Sequence, residues 1–251
     1  MPDQPMSVTG HLAELRRRVF VSLIALVAGI VVSFIFRERI FDILTRPGPD
    51  DLELFFFTLT GAIGPTMKVA LLGGFIVALP VIVHQAVGFI APGLTGRERR
   101  YLYLLLPGVA VCFMAGVAFA YFVLVPPIVE FLLDFGGDIA EPRPSLGSYI
   151  DTVTALLFWM GVAFETPFLM YFLTLIGVAN PRFFARQRRA WLVISFVLGA
   201  LITPTFDPIN QTMVAGPFIV LYEIGILLSR VAARRPRRRA PAASDGGEPH
   251  P

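Results

Sequence analysis

The chain has 251 residues, of which 55% are hydrophobic and only 16% charged, and 23 of them are Phe. Soluble domains carry about 25% charged residues and about 45–50% apolar ones, so a water-soluble enzyme and a disordered chain are both excluded. Cys112 is the single cysteine, which rules out an intrachain disulfide scaffold. What remains is an all-α polytopic membrane protein built as one bundle.

At the amino-terminal end, Val8, Leu12, Leu15 and Val19 recur at helical spacing. They predict a short amphipathic helix within residues 1–18 that lies in the membrane interface, with His11, Glu14 and Arg16, Arg17 and Arg18 on its polar face. A spanning helix needs about 20 mostly apolar residues. The stretches 19–36, 65–90, 101–125, 149–176, 190–203 and 212–229 approach that length, so residues 19–229 are expected to form a six-helix bundle whose fifth and sixth helices are short. Residues 230–251, rich in Arg, Pro and Ala, cannot bury a core and are expected to be a disordered tail.

Local punctuation refines these boundaries. Thr95-x-x-Glu98 and Ser148-x-x-Asp151 read as capping boxes opening the third and fourth spans, and Asn180-Pro181 as an N-cap followed by proline at the first helical position. Pro80, Pro107, Pro167 and Pro217 fall inside spans, where each removes a backbone hydrogen bond and favours a kink, which points to a concave bundle. The segments 37–64 and 126–148 are long and acidic, and loops of that length usually carry structure or a function.

Sixteen of the 21 basic residues fall at the two chain ends and in the even-numbered loops. By the positive-inside rule both termini are cytoplasmic. The basic pI of 9.3 therefore reports orientation and needs no nucleic-acid partner. Pro92-x4-Arg97 and Pro181-x4-Arg186 repeat one spacing in the two basic hairpins. This reads as two proline-started helices that both obey the charge rule, in preference to a duplication.

No zinc-protease, nucleophile-elbow or phosphate-loop motif is present, nor any cofactor motif. Ser22, Ser33 and Ser195 lie in spans with only His84 to act as a base, and they read as packing serines. Ionisable groups inside the membrane are more informative because each is costly unless paired or hydrated. Glu165 lies mid-span in Gly161-Val-Ala-Phe-Glu165-Thr-Pro167 and reads as functional; Glu223 is equally compatible with a paired structural role and a functional one. Lys68 reads as snorkelling to the interface. Glu165, Glu223 and Lys68 would also suit a small ion-coupled transporter, although helices 1–3 and 4–6 show no mutual similarity. Glu14 and Glu98 each lie among arginines, and intrahelical pairing or capping accounts for them as readily as ligand binding.

Several of these residues fall into motifs. They are His11-Leu-x-Glu14-Leu-Arg16-x-Arg18, Phe89-Ile-Ala-Pro92-Gly-Leu94 with Glu98-Arg-Arg100, and Gly161-Val-x-Phe164-Glu165-x-Pro167. Leu201-Ile-Thr-Pro204 with Asp207 and Gln211-Thr212, and Tyr222-Glu223-Ile-Gly225, follow in order. Together, from about residue 8 to 230, the chain resembles the TatC family, a subunit of the Sec-independent, twin-arginine protein translocase. The resemblance implies a glove-shaped six-helix receptor in the cell membrane. Such a receptor binds signal peptides with two consecutive arginines and assembles, as oligomers, with single-span TatA/TatB-type partners to export folded proteins on the proton-motive force. It implies that Glu14, Glu98, Phe89 and Leu94 bind the signal peptide, that Glu165 and Glu223 act within the membrane, and that Asp207 and Gln211 belong to the outer loop and partner region. Lysine lacks the planar fork with which arginine meets a carboxylate. The arginines flanking Glu14 and Glu98 are expected to face lipid phosphates and leave both acids free to converge.

Overall fold

The computed structural model describes residues 8–49, 52–93, 96–135, 142–203 and 207–234. Among these the order is α1 (Val8–Ile35), α2 (Arg37–Thr45), α3 (Ile63–Ile90), a 3₁₀ turn (Ala91–Gly93), α4 (Gly96–Phe119) and a π turn (Ala120–Leu124). Then come α5 (Val125–Asp134), α6 (Leu146–Leu175), α7 (Pro181–Arg186), α8 (Arg188–Ile202) and α9 (Pro208–Ala233). The tail from residue 235, Leu94, Thr95 and Pro204 lie outside the described residues.

Among the described residues, five stretches are long and apolar enough to cross a bilayer: Gly10–Ile35, Ile63–Ile90, Leu106–Asp134, Leu146–Leu175 and Pro208–Ala233. The fifth predicted span is α8, whose 15 residues extend about 22 Å at 1.5 Å per residue. That is short of a hydrocarbon core of about 30 Å. The sixth is not short: α9 has 26 residues, because the Asp207 carboxylate accepts the Asn210 N–H at 2.7 Å and Pro208 opens the helix ahead of its apolar stretch.

Other boundaries differ from the sequence reading for local reasons. Val8–Ile35 is one unbroken helix rather than an interfacial helix followed by a span, since residues 11–20 contain neither glycine nor proline to interrupt it. The cap of α6 is Ser145, not Ser148; its Oγ accepts the Ser148 N–H at 3.0 Å. Asp151 thus lies inside the helix and pairs with Lys68 of α3 instead. Asn180 and Pro181 open α7 as expected. Pro92, in contrast, sits within the 3₁₀ turn ahead of α4, so only one of the two basic hairpins starts its helix with proline. Gly177, at φ 78°, supplies the left-handed residue that ends α6.

Proline also explains the π turn. In a continuing α-helix Pro126 and Pro127 would have to donate to Phe122 and Val123, and neither can. The backbone widens instead, and Val125 N–H bonds the Ala120 carbonyl five residues back.

Glycines set the closest approaches between helices. A Cβ on Gly29 of α1 would lie 2.5 Å from the Gly74 carbonyl of α3, and one on Gly116 of α4 would lie 2.5 Å from the Met160 carbonyl of α6. Their registers make α1 antiparallel to α3 and α4 antiparallel to α6. The Lys68–Asp151 pair near the starts of α3 and α6 makes those two parallel, and Gly225, late in α9, against Met170, late in α6, makes α9 parallel to α6 as well. The start of α1 and the end of α9 therefore lie at one end of the bundle, with the arginine-rich hairpins. The acidic loops lie at the other.

Contacts follow the sequence α1, α3, α6, α9, α8, with α4 beside α3 and α6. The core sits around the first half of α6, where Ile150, Val153, Leu156 and Met160 are fully buried with Ile128 of α5 and Val214 of α9. Over it, α2 is fastened through its last carbonyls, which a helix end leaves without partners. Tyr121 Oη donates to Ile43 at 2.7 Å and Tyr149 Oη to Leu44 at 3.0 Å. An isolated bridge between Phe55 and Ser145 joins the two acidic loops.

Candidate functional site

At the arginine-rich end the antiparallel pairing of α1 and α3 brings the first turns of one against the last turns of the other. The His11 ring stacks on Phe89, with centroids 4.4 Å apart and planes 23° from parallel. Glu14, one turn further along α1, holds an i,i+4 ion pair in which Oε1 accepts both Arg18 Nε (2.9 Å) and Arg18 Nη2 (2.6 Å). Arg18 Nη1 reaches Gln85 Oε1 at 3.5 Å. The guanidinium lies against Gly88, where a Cβ would overlap Nη1.

This arrangement corrects one expectation. Arg16 and Arg17 are exposed, but Arg18 turns inward and pairs with Glu14, which is therefore not left free. The cause is spacing, since four residues place Arg18 directly over the carboxylate. Glu14 Oε2 nevertheless remains buried without a hydrogen-bond partner. An unmet carboxylate oxygen in a buried position is unfavourable, and it is the acceptor a guanidinium fork would use. Partly buried Phe89 shares this corner with Glu14. The backbone of Glu98 is in the first turn of α4, joined to the same end of α3 by the Ala91–Gly93 turn; Leu94 lies outside the described residues. Gln85 and Gly88 had no local sequence signal, because their contact is made across 67 or more residues.

The other predicted residues are not gathered here. Glu165 lies on the α6 face that packs toward Phe113 of α4 through Gly161, one turn earlier, and its Oε1 is buried without a hydrogen-bond partner. Glu223 is paired with Arg188 at 2.7 Å, joining α9 to the start of α8. Beside that pair Trp191 stacks on Tyr222 at 4.7 Å and donates to the Phe218 carbonyl. Asp207 caps α9 and also accepts Asn210 Nδ2 at 3.0 Å, while Gln211 Nε2 donates to the Phe196 carbonyl of α8 at 2.8 Å. Lys68 is held by Asp151 rather than extended alone to the interface. Lys68 pairs with Asp151 and Glu223 with Arg188, and neither pair includes Glu165, so among the described contacts the three are not joined as the ion path of a transporter would be. The serines are packing groups: Ser195 is fully buried and donates to the Trp191 carbonyl, while His84 faces Tyr103.

A family model for the Sec-independent protein translocase protein (TatC) matches residues 10–217. The chain is 39% identical over 235 residues to the Sec-independent protein translocase protein TatC of Aquifex aeolicus, covering 92% of this chain and 97% of that one. It is 34% identical over 231 residues to the TatC of Carboxydothermus hydrogenoformans, covering 92% and 95%. A crystal structure described as the twin arginine translocase receptor TatC superposes with a TM-score of 0.81 at 39% identity, over 89% of this chain and all of that one.

Proposed function

Because the chain belongs to the TatC family and is thus a membrane component of the Sec-independent, twin-arginine protein translocase, we propose that it is the receptor that captures Arg-Arg signal peptides. In this reading Glu14 and Glu98 each accept one guanidinium at the arginine-rich end, while Phe89 and Leu94 contact the apolar part of the peptide. The observation that carries it is the buried, unpartnered Oε2 of Glu14 beside the His11–Phe89 stack. A charged hydrogen bond is worth about 1.5–3 kcal/mol, so satisfying that oxygen from outside the chain favours a ligand arginine. Lysine, as a point charge, gains less from the same position.

The reading extends to the membrane. With α8 counted as a shortened sixth crossing, both ends face the cytoplasm and the acidic loops face outward, as the arginine distribution requires. The bundle then presents a concave face carrying Glu165 near mid-bilayer. Glu223, with Arg188, also acts within the membrane, and α8 and α9, with Asp207 and Gln211 at their outward ends, supply the contacts for TatA/TatB-type single-span partners. Several copies of this chain then work together in the assembled complex, in the cell membrane.

The test is photo-crosslinking of a twin-arginine signal peptide to the membrane-embedded chain. Glu14→Ala and Glu98→Ala are each expected to abolish the crosslink while the protein still accumulates in the membrane. An undiminished crosslink in either variant removes that residue from the site.

A further inference from the structure

Arg18 holds Glu14 in the way a ligand arginine would. Two of its nitrogens converge on Oε1, the third reaches Gln85, and Gly88 leaves the space in which the guanidinium lies. The neighbouring Arg16 and Arg17, of equal charge, are exposed on other faces of α1. The pair is only partly exposed, with side-chain values of 24% for Arg18 and 21% for Glu14. It is therefore less screened than a surface pair, yet open enough to exchange.

Resting on the receptor reading above, we propose that Arg18 is an internal stand-in for the first guanidinium of the signal peptide. It covers Glu14 while the site is empty and moves onto Gln85 when a peptide arginine takes the carboxylate. The unpartnered Oε2 is where the incoming guanidinium first engages, before Arg18 leaves Oε1. This device sets specificity. A ligand has to outcompete a tethered arginine, so a single lysine or an isolated positive charge does not open the site, whereas a bidentate guanidinium does. The tethered competitor also lowers the apparent affinity by the fraction of time it occupies the seat.

The experiment measures binding of a fluorescent twin-arginine signal peptide, and of its Lys-Lys counterpart, to the full chain in lipid vesicles. Arg18→Gln is expected to tighten the twin-arginine peptide about tenfold and to let the Lys-Lys peptide bind measurably, as removal of an internal competitor requires. Gly88→Ala keeps every charge but places a Cβ in the guanidinium seat, and it should shift affinity in the same direction. Arg17→Gln removes the same charge from an exposed position and should change affinity by less than about twofold, since exposed charges are largely screened. Tightening equal to that of Arg18→Gln in Arg17→Gln would mean simple charge repulsion and overturn the proposal. Unchanged or weaker binding in Gly88→Ala overturns it as well, and Gly88→Ala alone decides the matter if Arg18→Gln does not fold. Glu14→Gln serves as the reference. If it abolishes binding while Gly88→Ala does not tighten it, the receptor reading stands and only the stand-in falls. If it leaves binding intact, both fall.

Discussion

The two ends of the bundle are held by different chemistry. At the acidic-loop end the core contacts are neutral, beside one half-exposed Lys68–Asp151 pair. Two tyrosine hydroxyls meet the last carbonyls of α2, a backbone bridge joins the loops, and fully buried Ile128 and Ile150 lie beneath. At the arginine-rich end the decisive contact is an ion pair with one carboxylate oxygen left over and a guanidinium divided between two acceptors. Neutral hydrogen bonds closed within a packed core lose strength when any partner moves. A half-satisfied carboxylate instead retains the capacity to accept something new. On the proposed receptor reading, stability is concentrated at one end and ligand chemistry at the other.

Substitutions can separate these roles. The largest effect is expected from Gly116→Leu, midway between the ends, where the new side chain would meet the Met160 backbone; overpacking of this kind costs about 3 kcal/mol. It should lower the apparent Tm in detergent and weaken peptide binding together. Tyr149→Phe strands a buried carbonyl of α2 and should cost about 2 kcal/mol, seen as a lower Tm with peptide affinity intact. Glu14→Gln should do the reverse: at least about tenfold weaker twin-arginine peptide binding, equivalent to about 1.4 kcal/mol, with Tm unmoved. The smallest change belongs to Lys68→Met combined with Asp151→Asn. This removes a half-exposed pair worth below about 1 kcal/mol and should leave both readouts near the original. If Tyr149→Phe alters binding as much as Glu14→Gln does, the two ends are coupled and the division of roles is wrong.

The apolar stretches and the prolines within them made the helices legible, because length and hydropathy alone define what can occupy a bilayer. The Asn180-Pro181 cap was legible for the same kind of local reason. Ser145 and Ser148 were not distinguishable in advance: both are serines able to accept a backbone N–H, and the choice depends on where the Phe55 bridge anchors the preceding loop. Side-chain partners were harder still. A helix bathed in lipid is apolar on every side, so its sequence does not mark which face meets a neighbour. Lys68 finds Asp151 across 83 positions, and Arg18 finds Gln85 across 67. Glu14 itself could be singled out, but not that Arg18 would claim one of its oxygens. The spacing that allowed this pair was visible, whereas Gly88, which makes room for it, was only one of 22 glycines.

The π turn at Ala120–Leu124 has a consequence for how this part of the chain can change. A wide turn accommodates one residue more than an α-helical turn does, so it behaves as a single-residue insertion absorbed within an otherwise continuous rod. Deleting one residue from it would close the wide turn into an α turn, setting the Pro126 and Pro127 rings against carbonyls to which they cannot donate. Tyr121, inside the wide turn, would lose its aim at Ile43. The segment therefore tolerates substitution far better than any change of length. Length variation among descendants of this sequence should accumulate in the loop after Asp134 and leave these five positions unaltered in number.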